Sequence, residues 1–229
     1  MSIYAIGDLH LSFTEDKPMD IFGENWINYE NKIKAKWLEK INDHDTVLIP
    51  GDISWALSFE NANVDLSWID QLPGRKIISK GNHDYWWSTL KKMKGIYENV
   101  EFLYNNYFSV GEIAICGTRG WTCPNDTCFT KRDEKIYRRE LLRLRHSLDL
   151  AVKDGYTEMV VMLHYPPTND KKEISGFVEI IESYNVKKVI YGHLHSKEYF
   201  NLSYRGIYND VEYSLVSCDA IDFDPIRIF

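Results

Sequence analysis

Six short, apolar, β-branched runs, at residues 2–7, 46–49, 76–79, 112–117, 159–163 and 188–191, limit what this chain can fold into. Runs of that length and composition read as strands that are mostly buried. Between several of them apolar residues fall three or four apart. The clearest set is Trp26, Tyr29, Ile33, Trp37 and Ile41; Leu66, Ile69 and Leu72, then Leu141, Leu144, Leu148 and Ala151, repeat the pattern. That spacing lines one face of a helix, so helices and strands alternate and an α/β fold is expected. Asn105-Asn106, between two aromatic runs, and Asn209-Asp210, between residues 204–208 and 211–216, read as hairpin turns, which predicts mixed rather than wholly parallel sheets. No repeat, low-complexity tract or Gly/Ser/Pro-rich linker interrupts the 229 residues, and a single domain over 1–229 is expected. Residues 116–133 are the longest aperiodic stretch, a kind of loop that in compact domains is functional or mobile.

The residues that follow the runs share one chemistry. Five of the seven histidines lie directly after an apolar run, in Gly7-Asp8-Leu9-His10, Gly81-Asn82-His83-Asp84, the lone His164, and Gly192-His193-Leu194-His195. Pro50-Gly51-Asp52 follows residues 47–49 in the same way. Residues just past the carboxyl ends of strands in an open α/β sheet share one rim, where five separated segments can converge. Gly7, Gly51, Gly81 and Gly192 each precede the first polar residue, as expected where a sharp turn in a crowded site leaves no room for a Cβ. Asp8, His10, Asp52, Asn82, His164, His193 and His195 offer oxygen and nitrogen donors alone, a set suited to Mn, Fe, Ni or Zn. In Asp8-x-His10 and His193-x-His195, alternate residues of an extended strand end would face the same side. Seven ligands are too many for one ion with open positions and suit two ions sharing a carboxylate. Such a pair, about 4 Å apart, activates a bridging hydroxide and clamps the attacking and leaving oxygens of an in-line displacement at phosphorus.

Composition narrows the partners. With 27 Lys+Arg against 34 Asp+Glu the formal charge is −7, so nucleic acid is not favoured and an anionic substrate must be drawn by something local. No stretch approaches the ~20 apolar residues of a membrane span, and the first residues lack the basic and apolar regions of a secretory signal, so a cytoplasmic protein is expected. Cys116, Cys123, Cys128 and Cys218 are too sparse for a disulfide framework and lack the paired spacing of a zinc ribbon. Four reduced thiols are expected.

The ordered pattern D-x-H, G-D, G-N-H-D, a later H and G-H-x-H, running from Asp8 to His195, resembles that of the calcineurin-like metallophosphoesterases. The resemblance implies a four-layer α/β/β/α sandwich with mixed sheets and a dinuclear centre at the strand ends. It also implies that Asp8, His10, Asp52 and His195 hold one metal and that Asp52, Asn82, His164 and His193 hold the other, with Asp52 bridging. His83 would not be a ligand; in the family the equivalent histidine sits beside the leaving-group oxygen, making His83 and Asp52 the expected catalytic residues. Asp84 reads as a support for the loop or for a ligand.

Phosphoprotein phosphatases of this superfamily continue the second motif as G-D-x-x-D-R-G and end the third with Glu. This chain has Gly51-Asp52-Ile53-Ser54-Trp55-Ala56-Leu57 and Gly81-Asn82-His83-Asp84. Trp55 stands in place of the Asp that orients the catalytic histidine, and Ala56 in place of the substrate-gripping Arg. His83 is left with no assigned orienting partner, and a Ser/Thr protein phosphatase becomes the alternative. Retention of His10 fits members that hydrolyse phosphodiesters as well as monoesters. Trp55, Trp87 and Trp121 are either core and cover residues or the wall of a pocket for a nucleobase or another flat leaving group. Arg119 is either a loop brace or a phosphate contact. Residues 131–145 carry seven basic side chains against three acidic ones, which reads as the solvated face of a long helix or as an anion-guiding patch. The expected activity is metal-dependent hydrolysis of a phosphodiester or small phosphomonoester, a nucleotide among the candidates. A metal-stabilised binding or regulatory protein without catalysis is the alternative of another class.

Overall fold

Residues 1–125 and 128–229 are described by a computed structural model of the chain, and residues 126 and 127 of the aperiodic stretch lie outside them. The first sheet is built from β1 (Ile3–Ala5), β2 (Thr46–Ile49), β3 (Arg75–Ser79) and β4 (Val100–Leu103), with α1 (Tyr29–Lys40), α2 (Phe59–Asp70) and the short α3 (Leu90–Met93) in the connections. The second is built from β5 (Phe108–Val110), β6 (Ile113–Thr118), β7 (Glu158–Leu163), β8 (Val186–Tyr191), β9 (Gly206–Tyr208) and β10 (Val211–Leu215), with α4 (Lys131–Lys153) and α5 (Gly176–Glu182). A last strand, β11 (Ile226–Arg227), returns to the first sheet. The strand orders are β11-β1-β2-β3-β4 and β5-β6-β7-β8-β10-β9. Both sheets are mixed: β1–β4 are parallel beside antiparallel β11, and β6, β7, β8 and β10 are parallel between antiparallel β5 and β9.

Burial on both faces explains why the strands read as near-continuous apolar runs. In β2, Val47 and Ile49 pack with Trp37 and Ile33 of α1 and with Leu66 of α2. Leu48, between them, faces the other way into an apolar layer with Ile77, Ile115, Val160, Met162 and Ile190, contributed by both sheets. On the far side Val161, Leu163, Val189 and Tyr191 pack with Leu144 and Leu148 of α4 and Phe177 of α5. Three apolar layers separate four layers of secondary structure, the α/β/β/α sandwich.

Two local expectations change. Asn105-Asn106 does not close a hairpin, because β4 and β5 belong to different sheets. Asn105 is left-handed (φ 57) and the Asn106 side chain accepts a hydrogen bond from the Tyr104 amide at 2.6 Å, so the turn passes the chain between sheets. A dipeptide suited to positive φ marks a reversal but cannot say whether the two strands will pair. Asn209-Asp210, with φ of 47 and 63, does close the antiparallel β9–β10 hairpin, as a type I′ turn requires. In the first helical pattern, α1 begins at Tyr29; Trp26 ends a preceding 3-10 turn and Ile41 caps the helix, though both remain buried.

All four cysteines are free, and Cys128 alone is exposed. Burial pushes the Cys116 and Cys123 thiols up to about 12 and the Cys218 thiol well above its ordinary range. A thiol-specific chromogenic reagent should titrate one cysteine rapidly in the native protein and all four after denaturation, and Cys128→Ser should abolish the fast phase. Two or more fast thiols would contradict this packing.

Candidate metal centre

The parallel strands deliver the five sequence sites to one rim. Asp8 and His10 follow β1, Asp52 follows β2, Asn82 to Asp84 follow β3, His164 follows β7, and His193 and His195 follow β8. The two sheets join here: the Gly7 amide donates to the Val216 carbonyl at 2.6 Å, and the Cys218 amide donates to the Gly7 carbonyl at 3.0 Å.

Asp8, Asp52 and His164 are buried, His10 nearly so. Asp8 Oδ1 accepts the His193 amide at 2.9 Å and lies 3.5 Å from His195 Nε2, while Oδ2 has no partner among the described residues. His10 Nε2 is 3.2 Å from His195 Nε2 and 3.9 Å from Asp52 Oδ2. That same Asp52 oxygen is 3.4 Å from His164 Nε2, which stands 2.7 Å from Asn82 Oδ1. Asp52 Oδ2 therefore lies between the His10 and His164 imidazoles, while Asp8 is the carboxylate common to both groups of side chains that could hold an ion.

These contacts bring acceptors together. His164 Nδ1 is 3.0 Å from the Pro50 carbonyl and must carry the ring proton to bond it, so Nε2 presents a bare lone pair to Asn82 Oδ1 and Asp52 Oδ2. Burial holds His164 down to about 3 and His193 down to about 4, despite the pull of the Asp8 carboxylate, so both rings are neutral donors. Burial also opposes charge on His195, but Asp219 and Asp8 outweigh it and raise that ring to about 10. The Asp52 carboxyl is driven well above the usual carboxylate range by burial, Asp84 and Asp8. Lone pairs and carboxylates facing one another in a dry site fit divalent cations between them, whose binding would displace the His195 proton. Asp8 with His10 and His195, and Asp8 with Asp52 and His164, form the two groups close enough to hold an ion. His193 packs its ring on Tyr165 at 4.2 Å and beside His164 at 5.1 Å, on the Asn82 side.

The geometry that aims these side chains differs from strand alternation. β1 stops at Ala5 and β8 at Tyr191, and Asp8 (φ 56), His10 (φ 46), Asp52 (φ 49) and His193 (φ 72) are left-handed. Each such residue costs on the order of 1 kcal/mol and persists because its surroundings fix it. Close approach sets the glycines: a Cβ on Gly81 would collide with the Asp52 carboxylate and amide, and one on Gly192 with the Asp8 carboxylate.

Asp84 staples two of the turns. Oδ2 accepts the Asp52 amide (2.9 Å) and the Gly81 amide (2.7 Å); Oδ1 accepts the Ile53 amide (2.8 Å), the Ser54 amide (3.3 Å) and the Trp86 indole (3.0 Å). The His83 amide donates to Asp52 Oδ1 at 2.8 Å, but among the described residues nothing bonds its buried Nδ1. Trp55 packs against the His83 ring at 4.5 Å and stacks on His10 at 5.0 Å. The position lacking the orienting carboxylate thus supplies an aromatic contact.

Arg119, Trp87 and Trp121 lie beside this centre in different ways. The Arg119 carbonyl accepts both the His164 and Tyr165 amides at 3.0 Å, and its guanidinium lies 4.6 Å from the Trp121 ring and 3.8 Å from Glu140. Trp87 lines a neighbouring cavity with Arg119. Trp121 donates its indole N–H to Asp133 at 3.1 Å and packs on Tyr165 at 5.1 Å. Asp219 is a residue that the sequence reading missed: Oδ1 is 2.9 Å from His195 Nδ1, and Oδ2 accepts the Ser196 amide at 3.1 Å. It lies three residues past the alternating stretch 211–216, and the same strand-end rule could have found it.

The profile of the calcineurin-like phosphoesterase family matches residues 1–197, and the chain belongs to that family. Among curated proteins none matches. Two solved structures share the fold. A protein of unknown function from Aquifex aeolicus is 19% identical, with a TM-score of 0.52 over 99% of this chain and 95% of that one. The phosphopantetheinyl hydrolase of Mycobacterium tuberculosis is 13% identical, with a TM-score of 0.53 over 94% of this chain and 88% of that one.

Two substitutions test the supports. Asp84→Asn sets an amide N–H₂ against backbone donors and should cost about 3 kcal/mol in denaturant unfolding, with loss of bound metal. Asp219→Asn should weaken metal affinity about ten- to a hundred-fold, read by competition with a chelating dye, while the fold survives.

Proposed function

We propose that the chain is a phosphoesterase using two divalent metals, drawn from Mn, Fe, Ni and Zn, to hydrolyse a phosphodiester or small phosphomonoester. The observation that carries this reading is the placement of Asp52 Oδ2 between His10 Nε2 and His164 Nε2. Asp8, His10, Asp52 and His195 would hold one metal; Asp52, Asn82, His164 and His193 would hold the other. When bound, such a pair makes water nucleophilic at neutral pH and neutralises phosphoryl charge. For a diester the products are a monoester and an alcohol, with water adding across the broken P–O bond.

His83 would hydrogen-bond the departing oxygen and return a proton to it. Its ring is half-buried, and burial lowers its proton affinity, so near neutral pH it stands mostly as the neutral ring, whose N–H would reach the departing oxygen. Trp55 holds that ring from one side, and Arg119 and Trp87 would contact the substrate beyond the scissile phosphorus. The protein phosphatase reading lacks the D-R-G continuation of the second motif. A small diester needs no such grip, and the phosphopantetheinyl ester named for the mycobacterial relative joins nucleotide diesters in a first screen. We place this activity in one unit over 1–229, acting in the cytoplasm; no helix among the described residues is long and apolar enough to cross a membrane.

Metal-stripped protein reconstituted with Mn should cleave bis-p-nitrophenyl phosphate faster than p-nitrophenyl phosphate. Asp52→Asn should lose metal and nearly all turnover; His83→Ala should keep both metals while kcat drops about 10²–10⁴-fold. Monoester-only activity would favour the phosphatase alternative. Tight metals with no hydrolysis of either ester would favour a binding protein.

A further inference from the structure

A cavity of about 790 Å3 is lined by Lys80, Trp87, Tyr104, Arg119, Arg139 and Arg143 among others. It adjoins the Asn82 and His164 side of the centre. Lys80 lies two residues before Asn82, and the Arg119 carbonyl takes the amides of His164 and Tyr165.

Its charge is the reverse of the protein's. Four cationic side chains converge here in a chain of formal charge −7. Among the described residues the carboxylate within ion-pair distance of them is the fully buried Glu140, 2.8 Å from Arg143 Nη1, 3.6 Å from Arg139 Nε and 3.8 Å from Arg119 Nη2. Thr118 also donates its hydroxyl to Glu140, fixing the carboxylate from below. One carboxylate cannot neutralise three guanidinium groups and a lysine; it can hold the three forks in place on the wall. Arg143 is further set by donating to the Tyr104 hydroxyl at 2.7 Å.

Surplus cations and preset guanidinium forks match a tetrahedral oxyanion.

We propose that this cleft binds a second phosphate group of the substrate, several bonds from the phosphorus that is attacked. The inference rests on the phosphoesterase reading and specifies its substrate class: a phosphoester that carries another phosphate. Trp87 and Tyr104 would flank the segment joining the two groups. Helix α4 supplies Arg139 and Arg143, so part of its basic face serves the site, while exposed Arg138 makes an ordinary i,i+4 pair with Glu134.

Titration calorimetry on the metal-loaded protein, with thymidine 5′-monophosphate and thymidine 3′,5′-bisphosphate, tests the idea, and the same titrations on His83→Ala, which should keep its metals, separate binding from turnover. The bisphosphate should bind about ten-fold tighter. Lys80→Gln and Arg139→Gln, which leave the Arg143 and Thr118 bonds to Glu140 in place, should each cut that gain to about two-fold, and raising salt from about 50 to about 300 mM should shrink it in the wild type. Equal affinities in the wild type, or a full gain retained in both variants, overturn the proposal. Hydrolysis of bis-p-nitrophenyl phosphate is measured in parallel. Hydrolysis without a bisphosphate gain removes the second subsite and leaves the phosphoesterase standing; a gain lost in the variants, without hydrolysis, keeps the anion subsite and removes the catalytic reading.

Discussion

Three carboxylates, those of Asp8, Asp52 and Asp84, are buried at one rim with no described lysine or arginine within ion-pair distance. Anions buried without such a partner are expensive, and the surrounding architecture answers that cost in two ways. Asp84 is satisfied by backbone amides and an indole, so its charge draws the turns after β2 and β3 together. Asp52 is faced by His164, whose Nδ1 is committed to the Pro50 carbonyl so that Nε2 offers a lone pair, and Asp8 is faced by His195, whose Nδ1 is held by Asp219. The left-handed backbone at four candidate ligands and the missing Cβ atoms at Gly81 and Gly192 follow from the same demand, because the acceptors must approach closely.

Burial on both faces made most of the frame legible in sequence. Residues 46–49 are apolar throughout because Val47 and Ile49 face helices while Leu48 faces the second sheet, and a run with no polar side has few other fates. The candidate site was legible for a related reason: glycines, carboxylates and histidines directly after strands have one place to go in an α/β sheet. What failed to show was whatever depends on long-range pairing. Asn105-Asn106 announces a turn equally well within a sheet or between sheets. Alternation was the wrong account of Asp8 and His10, since positive φ is imposed by neighbours distant in sequence. Asp219 has only a strand-end position to mark it, and its bond to His195 is a tertiary fact.

Helix α4 shows how one segment serves two requirements. Leu144, Leu148 and Ala151 seal the outer layer against β6 and β7. Its charged face is divided: Arg138 and Glu134 pair in solvent, whereas Glu140 is buried and gathers guanidinium groups from the helix itself and from the loop after β6. A buried acid surrounded by arginines is weak evidence for stability. It is better evidence for orientation, since each fork must point where the carboxylate lets it.

The seam between the sheets gives the chain's last segment an unexpected weight. The family match ends at residue 197, after every candidate ligand has been supplied. Yet Val216 and Cys218 bond to Gly7, the Cys218 thiol donates to the Asp8 carbonyl at 3.1 Å, Asp219 braces His195, and β11 closes the edge beside β1. A protein trimmed to its recognisable portion would keep every candidate ligand and lose the clasp that sets their spacing. Kinship and competence therefore have different lengths in this molecule, and the stretch that carries no signature is the one that locks the signature into shape.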